Sequence, residues 1–566
     1  MARWGIPPAP AGPRLPAAVV VVLTLTVLLA GCLSVATPRL TTTGTTPTAP
    51  QHSDIAPTDP RMMAVGGELR IAVDGPSPQW NPWHVEADTE AMEQVLGPIT
   101  PKFFTYDDEG RPHANPAYLA KEPTASGDPL VVTLQLNPEA VWADGEPITW
   151  RDVAAPLRTC NGNQPEFACA DTTGPATVAK VARGADDFEA VITFTGPQPA
   201  WRDVLAAPGR ADLFATPEAF SLTRPDPRAQ AGPFVVQAYD AGRRIVAESV
   251  NPHWWGPAPA LERISFRWLD PAAQPGAFVN NEVDVFHVGL NRDGLVRAQA
   301  VPDGEVRQAR GDELRTLLVN TDAGPLTDPA VRRAIATTID REAFREAASA
   351  GLESGTVWPT VAAGNRLLGA EQAGHRDTGA ELGLPDPVRA AAELDAAGYR
   401  LQGDGTRAKA GEPLTVTFTR VAGLPESTAE GLMVQAQLSQ LGIAVTFVDV
   451  PAERLGPLLA DGQYQLAIAD RASLTEPGQL FTSGAAGNVE DVADDQLDAL
   501  LAELARQTSA GGRARVANDA DERLWELGVS IPLHRVPQRV AVKKRIANYG
   551  AFGQASRDWT RVGYRT

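Results

Sequence analysis

The stretch "STAEGLMVQAQLSQLGIAVTFVDV" (Ser427–Val450) reads as a helix that stops at Gly442, followed by the strand Ile443–Val450. Only glycine enters the left-handed cap at no steric cost, so Gly442 marks the stop. Upstream, "LTVTFTR" (Leu414–Arg420) alternates like a strand. Downstream, "PAERLGPLLADG" is a short helical piece and "YQLAIAD" (Tyr464–Asp470) a third strand. This β-α-β-α-β order implies parallel strands with right-handed crossovers, hence an α/β fold. Ligands in such sheets sit beyond the carboxyl ends of the strands, which makes the loop after Asp470 a candidate site.

Working backward, "TDPAVRRAIATTIDREAF" opens with Thr327 or Asp328 as cap and Pro329 in the first turn. Val331, Ala334, Ile335 and Ile339 share one face. "AAAELDAAGY" is a further helix that Gly398 can end. The first half reads as strands: "ELRIAV" (Glu68–Val73), "LVVTLQL" (Leu130–Leu136), "EAVITFT" (Glu189–Thr195) and "RISFRWL" (Arg263–Leu269), with the period of two of half-buried sheet.

The amino terminus is different. Two arginines precede an apolar run of about 16 residues, Leu15–Ala30, which is short for the roughly 20 a membrane span needs. Small residues and Cys32 follow. Leu29-Ala30-Gly31-Cys32 looks like a bacterial lipobox, in which the signal is removed and the cysteine carries lipid; a simply cleaved signal would need no cysteine there. The next segment, with "TTTGTTPTAP", cannot bury enough surface to offset its ordering entropy and reads as a tether. The other two cysteines, Cys160 and Cys169, lie nine positions apart in a loop-like stretch. Outside the cytoplasm such a pair implies a disulfide, closing a short loop and contributing roughly 2–3 kcal/mol.

The net charge of −19 argues against nucleic acid as a partner. There is no G-x-S-x-G, P-loop, G-x-G-x-x-G or H-E-x-x-H, and the seven histidines are scattered. The expectation is therefore a protein that is no enzyme and holds no metal or other cofactor. Twelve tryptophans stand out. Trp254 and Trp255 read as core. Trp80 and Trp83, with Asn81 between them, follow the first strand and are candidates for gripping a ligand with rigid apolar faces.

Several segments together resemble the family 5 extracellular solute-binding proteins, the peptide and nickel binders of ABC importers. They are "LVVTLQLNPEAVWADGEPITWRDV" (Leu130–Val153), "NPHWWG", "NNEVDVF", "LLVNTDAGPLTDPAVRRAIATTIDREAF" (Leu317–Phe344), "GQYQLAIAD" and "SIPLH" (Ser530–His534). The resemblance implies a two-lobe periplasmic-binding-protein-like fold with mixed sheets, an extra domain and a ligand cleft between the lobes. It places the signal at 1–31 and the tether at 32–65. The first lobe is 66–96 with 202–311 and 530–566, the additional domain 97–201, and the second lobe 312–529. Chain crossings are expected near Leu317–Asn320 and Ser530–His534.

It also implies a monomer, held by lipid on Cys32 at the outer face of the cell membrane, that closes by a hinge over a small ligand and serves an ABC permease. Peptide-binding members place an acid for the peptide's amine in the loop after the strand matching Tyr464–Asp470. That position falls on Ser473 here, with Asp470 and Glu476 as alternatives, so the ligand is expected to differ from a simple free peptide. "EAVITFTGPQPAWRDVL" and the Thr/Pro tether resemble a mycobacterial envelope lipoprotein of the same fold. That likeness implies an alternative role: binding mannosylated phosphatidylinositol lipids or regulating their synthesis.

Overall fold

The computed structural model describes residues 52–566 except 76–78, 88, 312, 351–360, 370–371, 473–476 and 486. Cys32 and most of the tether lie outside the described residues. The stretch from His52 to Val65, assigned to the tether on composition, is docked on the body. Asp54 pairs with Ala551, and Met63–Ala64 pairs antiparallel with Gly563–Arg565. Backbone pairing, which composition does not reveal, holds it there.

In chain order, the strands that build the two large sheets are β1 (Glu68–Val73), β2 (Phe234–Asp240), β3 (Ile245–Val250), β4 (Arg263–Trp268), β5 (Val285–His287), β6 (Gly304–Ala309), β7 (Glu313–Val319), β8 (Val361–Ala362), β9 (Thr415–Val421), β10 (Ala444–Val450), β11 (Leu466–Ala472), β12 (Ile531–Arg535) and β13 (Gln538–Lys543). The first sheet has the order β6-β13-β5-β1-β4-β3-β2. β1 runs parallel to β4 and β5, while β13 is antiparallel to both β5 and β6. Its core includes Leu69, Ile71, Ile264, Phe266 and Trp268, the alternating apolar residues of β1 and β4.

Between β1 and β2 the chain builds a smaller body around a four-stranded sheet, ordered Thr124–Ser126, Val131–Gln135, Glu189–Phe194, Val178–Arg183. Its helix Trp150–Thr159 starts with a capping box, Thr149 reaching forward and the Asp152 carboxylate reaching back. The helix ends at Cys160, which is disulfide-bonded to Cys169. Trp254 and Trp255 pack on Tyr118 of this body, with ring centroids 6.2 and 5.5 Å away.

The second large sheet has the order β8-β12-β7-β11-β9-β10. β9 is parallel to β10 and to β11, the arrangement that the β-α-β-α-β reading implies. The helix Pro425–Ser439 joins β9 to β10, and Gly442 has φ +74°. Asp328 caps the helix Pro329–Ala336, accepting from the Ala330 amide. Val331, Ala334, Ile335 and Ile339 are all fully buried.

The crossings between the two sheets differ from the expected positions. β12 (Ile531–Arg535) pairs with β7 and β8, so Ser530–His534 belongs to the second sheet. The chain passes from one sheet to the other between β6 and β7, after Ala309, and between β12 and β13, at Val536–Pro537. Proline has no N–H for the ladder and breaks what otherwise reads as one strand. The crossings touch: the Val536 amide donates to the Glu313 carbonyl at 3.0 Å. A Cβ on Gly311 would run into the Val536 carbonyl oxygen. Gly311→Ala should therefore push the crossings apart and destabilise the protein by about 1–3 kcal/mol in urea titration.

Candidate ligand-binding cleft

The parallel strands β1, β4, β5 and β6 end on the side where β6 enters the first crossing. In the second sheet, β7 begins, and β9, β10, β11 and β12 end, on the side that faces the same crossings. Both sheets thus turn their loop-bearing ends toward the junction, where topology places a ligand. Segments 76–78 and 473–476, which follow β1 and β11, are outside the described residues.

At the junction end of the second sheet, three neighbouring strands set His534, Arg315 and Asp470 in one row. Arg315 stands opposite His534 on one side and opposite Asp470 on the other. The helix Pro425–Ser439 lays Glu430 over the row. Arg315 grips Glu430 with two bonds, Nε to Oε1 at 2.8 Å and Nη2 to Oε2 at 2.7 Å. Its Nη1 lies 3.2 Å from the Asp470 carboxylate. Burial works to lower the Arg315 pKa, but Asp470 and Glu430 outweigh it and hold the guanidinium firmly charged. His534 is buried, its pKa pushed down to about 4 chiefly by desolvation and further by Arg315, so it stays neutral at physiological pH. Two carboxylates, Glu430 and Asp470, thus converge on the Arg315 guanidinium, while Arg539 also acts on His534. Glu430 is 11% exposed in its side chain and Asp470 39%, so Asp470 is the accessible carboxylate of the two.

The other sequence candidates are placed differently. Trp80 is 2% exposed, and its ring meets Tyr239 at 5.1 Å and Trp268 at 6.4 Å, edge to face. It plugs the first sheet's core instead of presenting its face to a cleft, because Tyr239 of β2 covers it. Asn81 is equally buried: it donates to the Phe220 carbonyl and accepts from the Trp83 amide, shaping the turn. Trp83 is half-buried edge-on to Phe214 at 6.0 Å. Ser473 and Glu476 lie outside the described residues. Of the six ligand candidates, the described residues bring only Asp470 into the row.

Arg315, Glu430 and His534 were not singled out from sequence. The available signals were an arginine inside the apolar strand "ELRTLLV" and a glutamate on the buried face of a helix, one turn before Val434. Among the described residues no group of three His, Cys, Asp or Glu could hold a metal ion.

The chain matches the model of the family described as "Bacterial extracellular solute-binding proteins, family 5 Middle" over residues 116–489. It is 33% identical over 526 residues to the oligopeptide-binding protein OppA of Mycobacterium tuberculosis, covering 90% of this chain and 87% of that one. It is 24% identical to the probable monoacyl phosphatidylinositol tetramannoside-binding protein LpqW of the same species, covering 74% of this chain and 68% of LpqW. Among solved structures, the oligopeptide-binding protein AppA of Bacillus subtilis, in complex with a nonapeptide, superposes with a TM-score of 0.76 at 14% identity. That match covers 89% of this chain and all of AppA.

Proposed function

The chain belongs to family 5 of the bacterial extracellular solute-binding proteins, and from that premise we propose that it captures a peptide in the cleft and delivers it to an ABC permease. It does so from the outer face of the membrane, held by lipid on Cys32, and without chemical turnover. The likeness to OppA over nine-tenths of the chain supports a peptide. The observation that carries the reading is the accessible carboxylate of Asp470, at the junction end of β11. It suits a ligand ammonium, which needs a carboxylate partner when it leaves water.

Asp470, one of the two alternatives to Ser473 in the sequence, then takes the part that this loop position plays in peptide-binding relatives, and a free-amine peptide replaces the altered ligand expected from Ser473 alone. Asp470→Asn should weaken a free-amine heptapeptide by about 10- to 100-fold, the range of a charge-assisted hydrogen bond. It should leave the N-acetylated peptide unchanged; calorimetric titration of both peptides tests this. Equal losses for the two would place the amine elsewhere.

The likeness to LpqW supports a second reading, an envelope lipoprotein that handles a mannosylated phosphatidylinositol lipid. Its ligand would carry a diacyl or monoacyl glycerophosphate and no ammonium, so Asp470→Asn would not weaken it.

A further inference from the structure

The stretch ahead of β1 is bound at the base of both crossings. Asp54 and Ala551 exchange backbone hydrogen bonds of 2.7 and 3.0 Å. The Asp54 carboxylate accepts from the Gln308 amide at 3.0 Å. Gln308 belongs to β6, just before the first crossing. Its neighbour Arg307 is buried, donating to the carbonyls of Ile55 (3.2 Å) and Ile546 (2.7 Å) and to that of Tyr549.

The segment that Asp54 pairs with, Ala551–Gly553, reaches the second crossing. Gln538 opens β13, directly after Val536–Pro537, and its side chain holds the Gly553 backbone at both ends. Oε1 accepts from the Gly553 amide at 2.9 Å, and Nε2 donates to the Gly553 carbonyl at 3.4 Å. Cβ atoms on Gly550 and Gly553 would run into the carbonyl oxygens of Asp54 and His52, so only glycine lets the stretch lie this close.

We propose that His52–Ile55 is a hinge brace, which pins the first-lobe root of the first crossing directly at Gln308 and that of the second through Ala551–Gly553, so that bending on closure falls between the braced Gln308 and Glu313 and at Val536–Pro537. It rests on the reading of the protein as a hinged binding protein. A plainer role is to cover the free edge of β6, which is the last strand of its sheet. Edge cover does not account for the continuation through Gly553, which lies against the His52 carbonyl and is held by Gln538 of β13, a strand with a neighbour on each side.

The test is hydrogen exchange on the full chain in detergent micelles, without ligand, for the wild type, Asp54→Ala and Asp54→Asn. The reporter is the Val536 amide, which bridges the crossings to Glu313. Asp54→Ala should speed its exchange at least tenfold while β9 amides keep their wild-type rates. Asp54→Asn, which retains an acceptor oxygen, should stay near the wild type. The brace is overturned if the Val536 amide is unaffected, if β9 speeds up equally, or if Asp54→Asn behaves like Asp54→Ala. No ligand enters this measurement, so its failure leaves the peptide reading standing, and failure of the peptide titrations leaves the brace standing.

Discussion

Asp521→Ala should cost the protein about 3–5 kcal/mol, the loss expected when one partner of a buried ion pair is removed. Asp521 and Arg366 have side chains 0% and 3% exposed and lie 3.2 Å apart. The carboxylate also accepts from the Arg366 backbone amide at 2.8 Å and from the Thr378 hydroxyl. Arg366 stacks 4.2 Å over Trp525 and donates to the carbonyls of Val529 and Ser530. This one pair therefore ties the helix Ala510–Leu527 to the segment around Arg366 and to the start of β12. Burial pulls the guanidinium pKa down and Asp521 pulls it back up, with a lesser contribution from Glu490, so without Asp521 the arginine loses its main counter-charge. The double variant Arg366→Met/Asp521→Leu should recover a large part of the loss, because apolar replacement removes the desolvation cost of both ions. Urea denaturation of the three proteins at pH 7 reads the difference; equal stability of the single variant and wild type would show the pair to be energetically idle.

Glu248→Met should stabilise the protein by at least about 2 kcal/mol at pH 7 and much less at pH 4. Glu248 lies in β3, opposite Ile264 and Val236, fully buried, and neither carboxyl oxygen has a hydrogen-bond partner among the described residues. Desolvation raises its pKa well above the ordinary glutamate value. Below the unfolded pKa, near 4.5, the group is neutral in both states and costs no ionisation energy. Above it the unfolded chain releases the proton and the native protein does not. Stability then falls by about 1.4 kcal/mol per pH unit until the folded pKa is reached. Other carboxylates, such as Asp494 against Arg523, are held below their ordinary values and have the opposite slope. The informative quantity is thus the wild-type minus variant difference from pH 4 to 8. A flat difference would mean that Glu248 finds a partner or water in solution.

How legible these features were in the sequence depended on range. The second lobe's β-α-β-α-β run was readable because its signals are local: Pro329 after Asp328, Gly442 after a periodic helix, alternation in β9 to β11. The docked stretch His52–Val65 was not readable, since Thr, Pro and Asp in a row look like a tether until strands near the carboxyl terminus offer them backbone partners. Trp80 misled for the same reason: its Pro-flanked loop looks exposed, and the residue that buries it, Tyr239, comes from a strand far along the chain. The second crossing was displaced because "IPLHRVPQRVAVK" reads as a single apolar strand, and only pairing shows that Pro537 divides it between two sheets. The row at the cleft was the hardest to see. Arg315, Glu430 and His534 are each unremarkable singly, and only strand register brings them to Asp470.

The most direct test of the peptide-capture reading is native mass spectrometry of the full chain, purified in mild detergent from its own host, with the bound ligand released and fragmented. The reading predicts a set of short peptides with free amino termini, depleted in Asp470→Asn. A mannosylated phosphatidylinositol lipid in their place, present equally in wild type and variant, would contradict it.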